Sequence, residues 1–235
     1  MRNIQLLILA AIAMVALGTS TAWYWPILPP IPLSWPTPTP TATSTWTEDW
    51  SGVVAARWHG ITGGLECAQV ETSSLPVGNK LILDCESGAL QSYQTWDRRY
   101  NITVSGSFRC AEGSPNSYYW CGVAILGQDD PSCQYGEIVL EKESLQDQRG
   151  SLTNCSWRSY GTVTAGAWHT YTVQWQAYNR RYVYYMDGLY KGTVSASLTV
   201  DPRIDILTVA VAPGESCTCY AHGEYGAITV TGVVK

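Results

Sequence analysis

The chain has 235 residues, of which 46% are hydrophobic and only 14% charged, and its net charge is −5. That length suits one large β-domain with appendages. The acidic balance argues against a nucleic-acid partner, which needs clustered Lys and Arg to neutralise phosphates.

Residues 1–22 read as an export element. Arg2 supplies the positive start, Leu6 to Leu17 is almost wholly apolar, and Ser20-Thr21-Ala22 offers small residues for cleavage. A second reading keeps the segment as an N-terminal membrane anchor, with Trp23, Tyr24 and Trp25 as an interfacial belt. Both place the rest of the chain in a secreted or extracytoplasmic setting, and only the anchor reading touches a membrane.

Residues 23–45 are rich in Pro and Thr, as in Pro36-Thr37-Pro38-Thr39-Pro40-Thr41. Repeated proline removes backbone donors and favours an extended, semi-rigid tether. From Trp46 to Lys235 the texture changes to short β-like runs with turn signals between them. They include Lys80 to Cys85, Tyr100 to Phe108, Trp120 to Leu126, Glu137 to Glu141, Thr170 to Trp175, Arg181 to Met186, Leu189 to Val194, Ile206 to Val211 and Ala227 to Val234. Asp187-Gly188 between two such runs predicts a tight hairpin. No long helical period follows residue 45. Many short strands predict an all-β, antiparallel sandwich of the jelly-roll kind.

The cysteines are Cys67, Cys85, Cys110, Cys121, Cys133, Cys155, Cys217 and Cys219. An even number behind an export element reads as a set of disulfide staples, whose connectivity the spacing leaves open. Only Cys217-Thr218-Cys219 approaches a metal-type spacing, and one intervening residue is poor for tetrahedral zinc. Eleven Trp and 15 Tyr stand against a single Phe. Most are accounted for by β-propensity, the rest by half-wet binding faces.

Gly136-Glu137-Ile138-Val139-Leu140-Glu141 carries the candidate chemistry. Side chains alternate along a strand, so Glu137, Val139 and Glu141 share one face. Paired carboxylates can act as nucleophile and acid/base in glycoside hydrolysis, or can be a solvated face. On a straight strand their Cα atoms lie about 13 Å apart, whereas retaining chemistry needs carboxyls about 5–5.5 Å apart. Trp120, Tyr118, Tyr135 and Trp157 flank the strand in sequence and are candidates for stacking on sugar rings. His59, His169 and His222 are scattered, which gives a Ser-His-Asp or Cys-His hydrolase no support. His169 reads as structural. Asn101-Ile102-Thr103 and Asn154-Cys155-Ser156 match glycosylation sequons.

Several segments in order resemble the concanavalin A-like lectin/glucanase superfamily, and within it the family 16 glycoside hydrolases. Glu48-Asp49-Trp50-Ser51-Gly52 with Arg57-Trp58 resembles the family's opening. Ser105-Gly106-Ser107-Phe108-Arg109, Tyr119 to Gly127 and Tyr135 to Glu141 resemble the strands that build its site, the last resembling "x-G-E-I-D-I-x-E". Ala167-Trp168-His169-Thr170-Tyr171 resembles the "W-H-T-Y" strand. The resemblance implies two curved sheets with a groove across a concave face, Glu137 as nucleophile and Glu141 as acid/base. Two positions depart from the pattern: Val139 stands where the family has the Asp that tunes both glutamates, and Ala124 where it has a Trp. The resemblance implies no cofactor. It offers a structural calcium site through Glu48 and Asp49, but the last strand lacks the usual Asp, leaving Glu224 as the nearest substitute. A pattern from non-catalytic domains of the superfamily fits Gly122 to Ile125, Asp129-Asp130 and Tyr135 to Leu140 nearly as well.

Three readings follow. The chain is an exported carbohydrate-binding or catalytically degenerate glucanase-like module, an active retaining β-glycanase using Glu137 and Glu141, or a structural or adhesive surface protein with no sugar ligand. The first two have an extracellular polysaccharide as partner.

Overall fold

The computed structural model describes residues 42–62, 65–72, 78–113, 118–127, 136–144, 147–153, 158–164, 166–211 and 220–235. The expected export element and all but the last few residues of the tether lie outside them, as do Cys133, Cys155, Cys217, Cys219, Asn154, Asp129 and Asp130. Thr41–Lys235 is one compact unit.

Fifteen strands and one helical turn make up the described fold. They are β1 (Ser44–Glu48), α1 (Val54–Arg57), β2 (Trp58–Thr62), β3 (Ala68–Glu71), β4 (Lys80–Cys85), β5 (Ser87–Ser92), β6 (Ile102–Gly113) and β7 (Tyr118–Gly127). Then come β8 (Gly136–Ser144), β9 (Asp147–Thr153), β10 (Arg158–Val163), β11 (His169–Gln176), β12 (Arg181–Met186), β13 (Leu189–Ser195), β14 (Pro202–Val211) and β15 (Ala221–Gly232). β1 begins at Ser44, so the last two residues of the Pro/Thr stretch are already strand.

Two antiparallel sheets result. One runs β13-β12-β11-β6-β15-β4-β3, with β1 also paired to β15; the other runs β10-β9-β8-β7-β14-β5-β2. Sequence neighbours β6 and β7 fall in different sheets, as in a jelly roll. Alternation decides which side chains meet between the sheets. In β11, Tyr171, Val173 and Trp175 are buried, and Thr170, Thr172 and Gln174 are more open. Ile138 and Leu140 of β8, Cys121, Val123 and Ile125 of β7, and Ile204 and Ile206 of β14 join the same core. Each such aliphatic contributes about 1.5–3 kcal/mol on burial. Gly136 must be a glycine here, because a Cβ would collide with the Tyr182 ring of the facing sheet.

A disulfide between Cys110 of β6 and Cys121 of β7 ties the sheets together. Asp187 and Gly188 adopt φ of 52° and 73°, the doubly left-handed turn that fits hairpin twist. The Asp187 carboxylate accepts from the Thr170 backbone N–H (2.9 Å) and contacts His169 Nδ1 at 2.7 Å. His169 is thereby fixed as a structural clamp on the hairpin.

The opening motif also builds structure. Glu48 is buried, accepting from the Trp50 N–H (3.0 Å) and from Trp58 Nε1–H (2.9 Å). Arg57 lies 3.4 Å from the same carboxylate and 4.5 Å from the Trp46 ring. Trp46, Trp50, Trp58 and Trp96 pack ring against ring around this point. Trp50, Trp58 and Trp96 are therefore core, as β-packing predicts, and half-buried Trp46 packs against them.

Candidate functional site

The register of the seven-stranded sheet builds the site. Ile138 and Leu140 face the core, so Glu137, Val139 and Glu141 face outward, away from the other sheet. β8 runs in regular register with β7 from Gly136 to Lys142, with no bulge to draw the two glutamates together. Directly opposed residues in neighbouring strands project on the same side. One outer row therefore runs Glu137, Ala124, Asp205, Gln91, His59 across β8, β7, β14, β5 and β2. The next row is Val139, Gly122, Leu207, Ala89, and the third is Glu141, Trp120, Val209, Ser87.

The sequence-predicted residues divide accordingly. Glu137 is 8% exposed and Glu141 is half-buried, two rows apart on one face. Trp120, also half-buried, stands directly opposite Glu141. Tyr118 is the first residue of β7, two before Trp120, while Tyr135 and Trp157 lie outside the described residues. Val139 fills the space between the glutamates and is fully buried. Its methyl lies 3.1 Å, and Glu137 Oε1 3.0 Å, from where a Cβ on Gly122 would stand. The glycine thus lets the Glu137 carboxyl fold across β7.

The polar half of the outer face was not singled out by sequence. Asp205 is 4% exposed and interacts electrostatically with Glu137. Burial pushes its carboxyl up to about 7, a hydrogen bond from Gln91 works against this, and the Glu137 charge adds to it. Gln91 in turn accepts from Arg203 Nη1 at 3.2 Å. Among the described residues, Asp205 Oδ1, Arg203 Nε and His59 Nδ1 are buried without a hydrogen-bond partner. Native structures leave few such atoms, and each calls for a physical cause. His59 also packs on Tyr93, ring centroids 5.1 Å apart, and Tyr93 is 53% exposed. The alternation of Arg203, Asp205, Leu207 and Val209 against Ile204 and Ile206 was the signal that could have placed Asp205 outward.

The carboxylates that the resemblance offers to calcium have other partners. Glu48 serves Trp50, Trp58 and Arg57, as described above, and Asp49 accepts from Ser51. Glu224 receives Lys80 Nζ at 2.8 Å and Arg109 Nη2 at 2.6 Å. Burial opposes ionisation of Glu224, but these cations hold it down at about 2. Three carboxylates bonded to cations and N–H donors are a poor fit to a hard cation's oxygen cage. No cluster of three His, Cys, Asp or Glu placed to hold a metal occurs among the described residues.

The fold of two antiparallel sheets is similar to that of solved glucanases. In structure the chain is similar to a β-glucanase of Bacillus licheniformis, with 16% identity, 79% of this chain and 97% of that chain covered, and a TM-score of 0.52. It is similar to SCLam, a non-specific endo-β-1,3(4)-glucanase of glycoside hydrolase family 16 (15% identity, 82% and 92% covered, TM-score 0.56). A third likeness is to the transglycosylase Crh5 in complex with NAG (13% identity, 82% and 85% covered, TM-score 0.52). No protein-family model and no curated protein sequence matches the chain. The likeness shows the fold; at these identities the site must be argued from its own residues.

Proposed function

We propose that the chain is an exported glycan-binding module of glucanase-like fold, which receives a β-linked polysaccharide on the outer face of its seven-stranded sheet. The observation that carries this reading is the row Glu137, Asp205, Gln91, His59 on one sheet face, with the half-exposed Tyr93 beside it. Sugar recognition uses such a mixture: charged and amide groups for hydroxyls, and an aromatic face for the ring. Export agrees with the apolar N-terminal segment and the inter-sheet disulfide.

The same face speaks against Glu137 and Glu141 as a retaining pair. The side chain between them is a buried valine that can neither share a proton nor hydrogen-bond. A second reading, an active retaining glycanase, draws on the placement of both glutamates and Trp120 on one face. A reducing-sugar assay and a binding titration on β-1,3- and β-1,4-linked glucans and galactans separate the readings, with wild type beside Glu137→Gln. Binding without turnover supports the module. Turnover abolished by the substitution supports the enzyme. Neither binding nor turnover favours a structural or adhesive role.

A further inference from the structure

Where β11 turns into β12, Arg98, Arg99, Trp175, Arg180, Leu198 and Thr199 are among the residues that line a cavity of about 520 Å³. None of its lining residues belongs to a strand of the seven-stranded sheet. Its three arginines are unequally matched by carboxylates. Arg99 Nε–H donates to both Asp97 oxygens, at 2.9 and 3.1 Å. Arg98 Nη1 comes only within 3.5 Å of Asp201, whose other oxygen receives Lys235 Nζ at 2.6 Å. Arg180 is exposed and has no carboxylate partner among the described residues. Arg180 also stands at φ 48°, a left-handed conformation that suits glycine at the close of a hairpin loop. An arginine holds this position against a backbone cost, which points to a use for its side chain. The cavity walls are fixed from behind. Trp175 Nε1–H donates to the Arg98 carbonyl at 2.7 Å, and the Asp201 carboxylate accepts from the Arg98 N–H at 3.1 Å. The Ala196 N–H donates to the Arg180 carbonyl at 3.0 Å.

We propose that this cavity binds a small organic phosphate monoester, with Arg98 and Arg180 on the phosphate and Trp175, Ala177 and Leu198 against the organic body. Charge selects the head group. Two guanidiniums without a close carboxylate match the roughly two negative charges of a phosphate monoester at neutral pH. A sulfate ester or a carboxylate brings only one. Planar guanidinium forks also suit bidentate bonding to phosphate oxygens. Arg180, Arg99 and Thr199 are exposed and Arg98 is partly so, which leaves the donors within reach of an incoming ligand. Size selects the body. The cavity falls in the range of pockets that enclose an organic molecule and is larger than a bare phosphate ion needs. This site does not depend on the outer face of the seven-stranded sheet being a glycan surface.

The test is calorimetric titration of the full chain at low salt with phenyl phosphate, phenyl sulfate and inorganic phosphate, at about pH 8, where the monoester is dianionic. It is repeated on Arg180→Gly, Arg98→Gln and Arg181→Gln, each checked by circular dichroism. Arg180→Gly removes the guanidinium while keeping a residue that accepts the positive φ, so it should melt no lower than wild type and keeps the test open if Arg98→Gln fails to fold. Arg181, whose Nε–H donates to Gln176 at 2.7 Å, is not among the lining residues and serves as the charge control. Phenyl phosphate should bind wild type and Arg181→Gln alike, and should weaken by roughly tenfold in Arg180→Gly and Arg98→Gln. It should also bind more tightly than phenyl sulfate and inorganic phosphate. Equal loss in Arg181→Gln, or none in Arg180→Gly, overturns the site. Inorganic phosphate binding as tightly as phenyl phosphate overturns the role of the apolar wall. Sedimentation with phosphatidic acid vesicles, in the absence of phenyl phosphate binding, overturns the small-molecule ligand in favour of a lipid headgroup. No binding of any of these probes overturns the inference and leaves the glycan reading untouched.

Discussion

Asp205 and Glu137 lie in one row across the seven-stranded sheet, with only Ala124 between them. Two buried carboxyls near one another cannot both ionise cheaply, and it is Asp205 that gives way, raised to about 7 first by burial and also by the Glu137 charge.

That shift has a signed effect on stability. A carboxyl whose folded value is raised binds its proton more tightly when folded. Its contribution is complete below the unfolded value of 3.8 and is lost as pH rises through about 7. The loss is on the order of 4 kcal/mol at most. Asp205→Asn cannot ionise, so it should match wild type near pH 4 and exceed it in thermal unfolding temperature near pH 8. Equal melting curves at pH 8 would show that Asp205 ionises freely.

Glu224 gives the opposite sign. Its folded value is depressed from 4.5 to about 2 by Arg109 and Lys80 against the cost of burial. Its contribution is present above about 4.5 and lost as pH falls towards 2. Glu224→Gln should lower stability at neutral pH by on the order of 3 kcal/mol and flatten the acid limb of the unfolding curve. An acid limb as steep as that of wild type would contradict this.

Gly122 has a packing role that substitution can expose. A Cβ there would come within 3.0 Å of Glu137 Oε1 and 3.1 Å of Val139. Gly122→Ala should cost about 1–3 kcal/mol by overpacking and should weaken glycan binding by displacing the Glu137 carboxyl. Unaltered binding at reduced stability would separate Glu137 from the ligand.

Cys67 and Cys85 are half-buried thiols that hydrogen-bond each other at the start of β3 and the end of β4. The Asp84 N–H donates to the Cys67 carbonyl at 3.4 Å, which keeps the two chain segments paired. Burial, with the neighbouring Cys67 thiol, pushes Cys85 up to about 12. In an oxidising compartment a disulfide oxidant should take two electrons and two protons from the pair and close a second staple. Peptide mapping, without reductant, of protein produced in an oxidising compartment should find Cys67 joined to Cys85, and free thiols at both positions would refute it.

Much of the fold was legible because its cues are local. Alternation marked β11, Asp187-Gly188 marked the β12–β13 turn, and Lys80 to Cys85 was delimited to the residue. β1, β2, β3, β5, β9 and β10 escaped; in β5, β9 and β10 the alternation is weak, with Gly, Ser and Gln at many positions. The glutamate strand was legible as a face, and the structure bears out that Glu137 and Glu141 look outward. Asp205 was not legible as part of that face. Its neighbours in the row come from strands more than 60 residues away in sequence, and only register brings them together. The apolar run Ile204 to Val211 also conceals an outward carboxyl within what reads as core.

The measurement that bears most directly on the account is amide and side-chain NMR shift mapping with a β-1,3-1,4-linked gluco-hexasaccharide. The account predicts perturbations on the outer face of the seven-stranded sheet, at Glu137, Trp120, Gly122, Gln91, Tyr93 and Asp205, with β11 to β13 of the other sheet unmoved. Perturbations confined to the eight-stranded sheet, or none at saturating sugar, would contradict it.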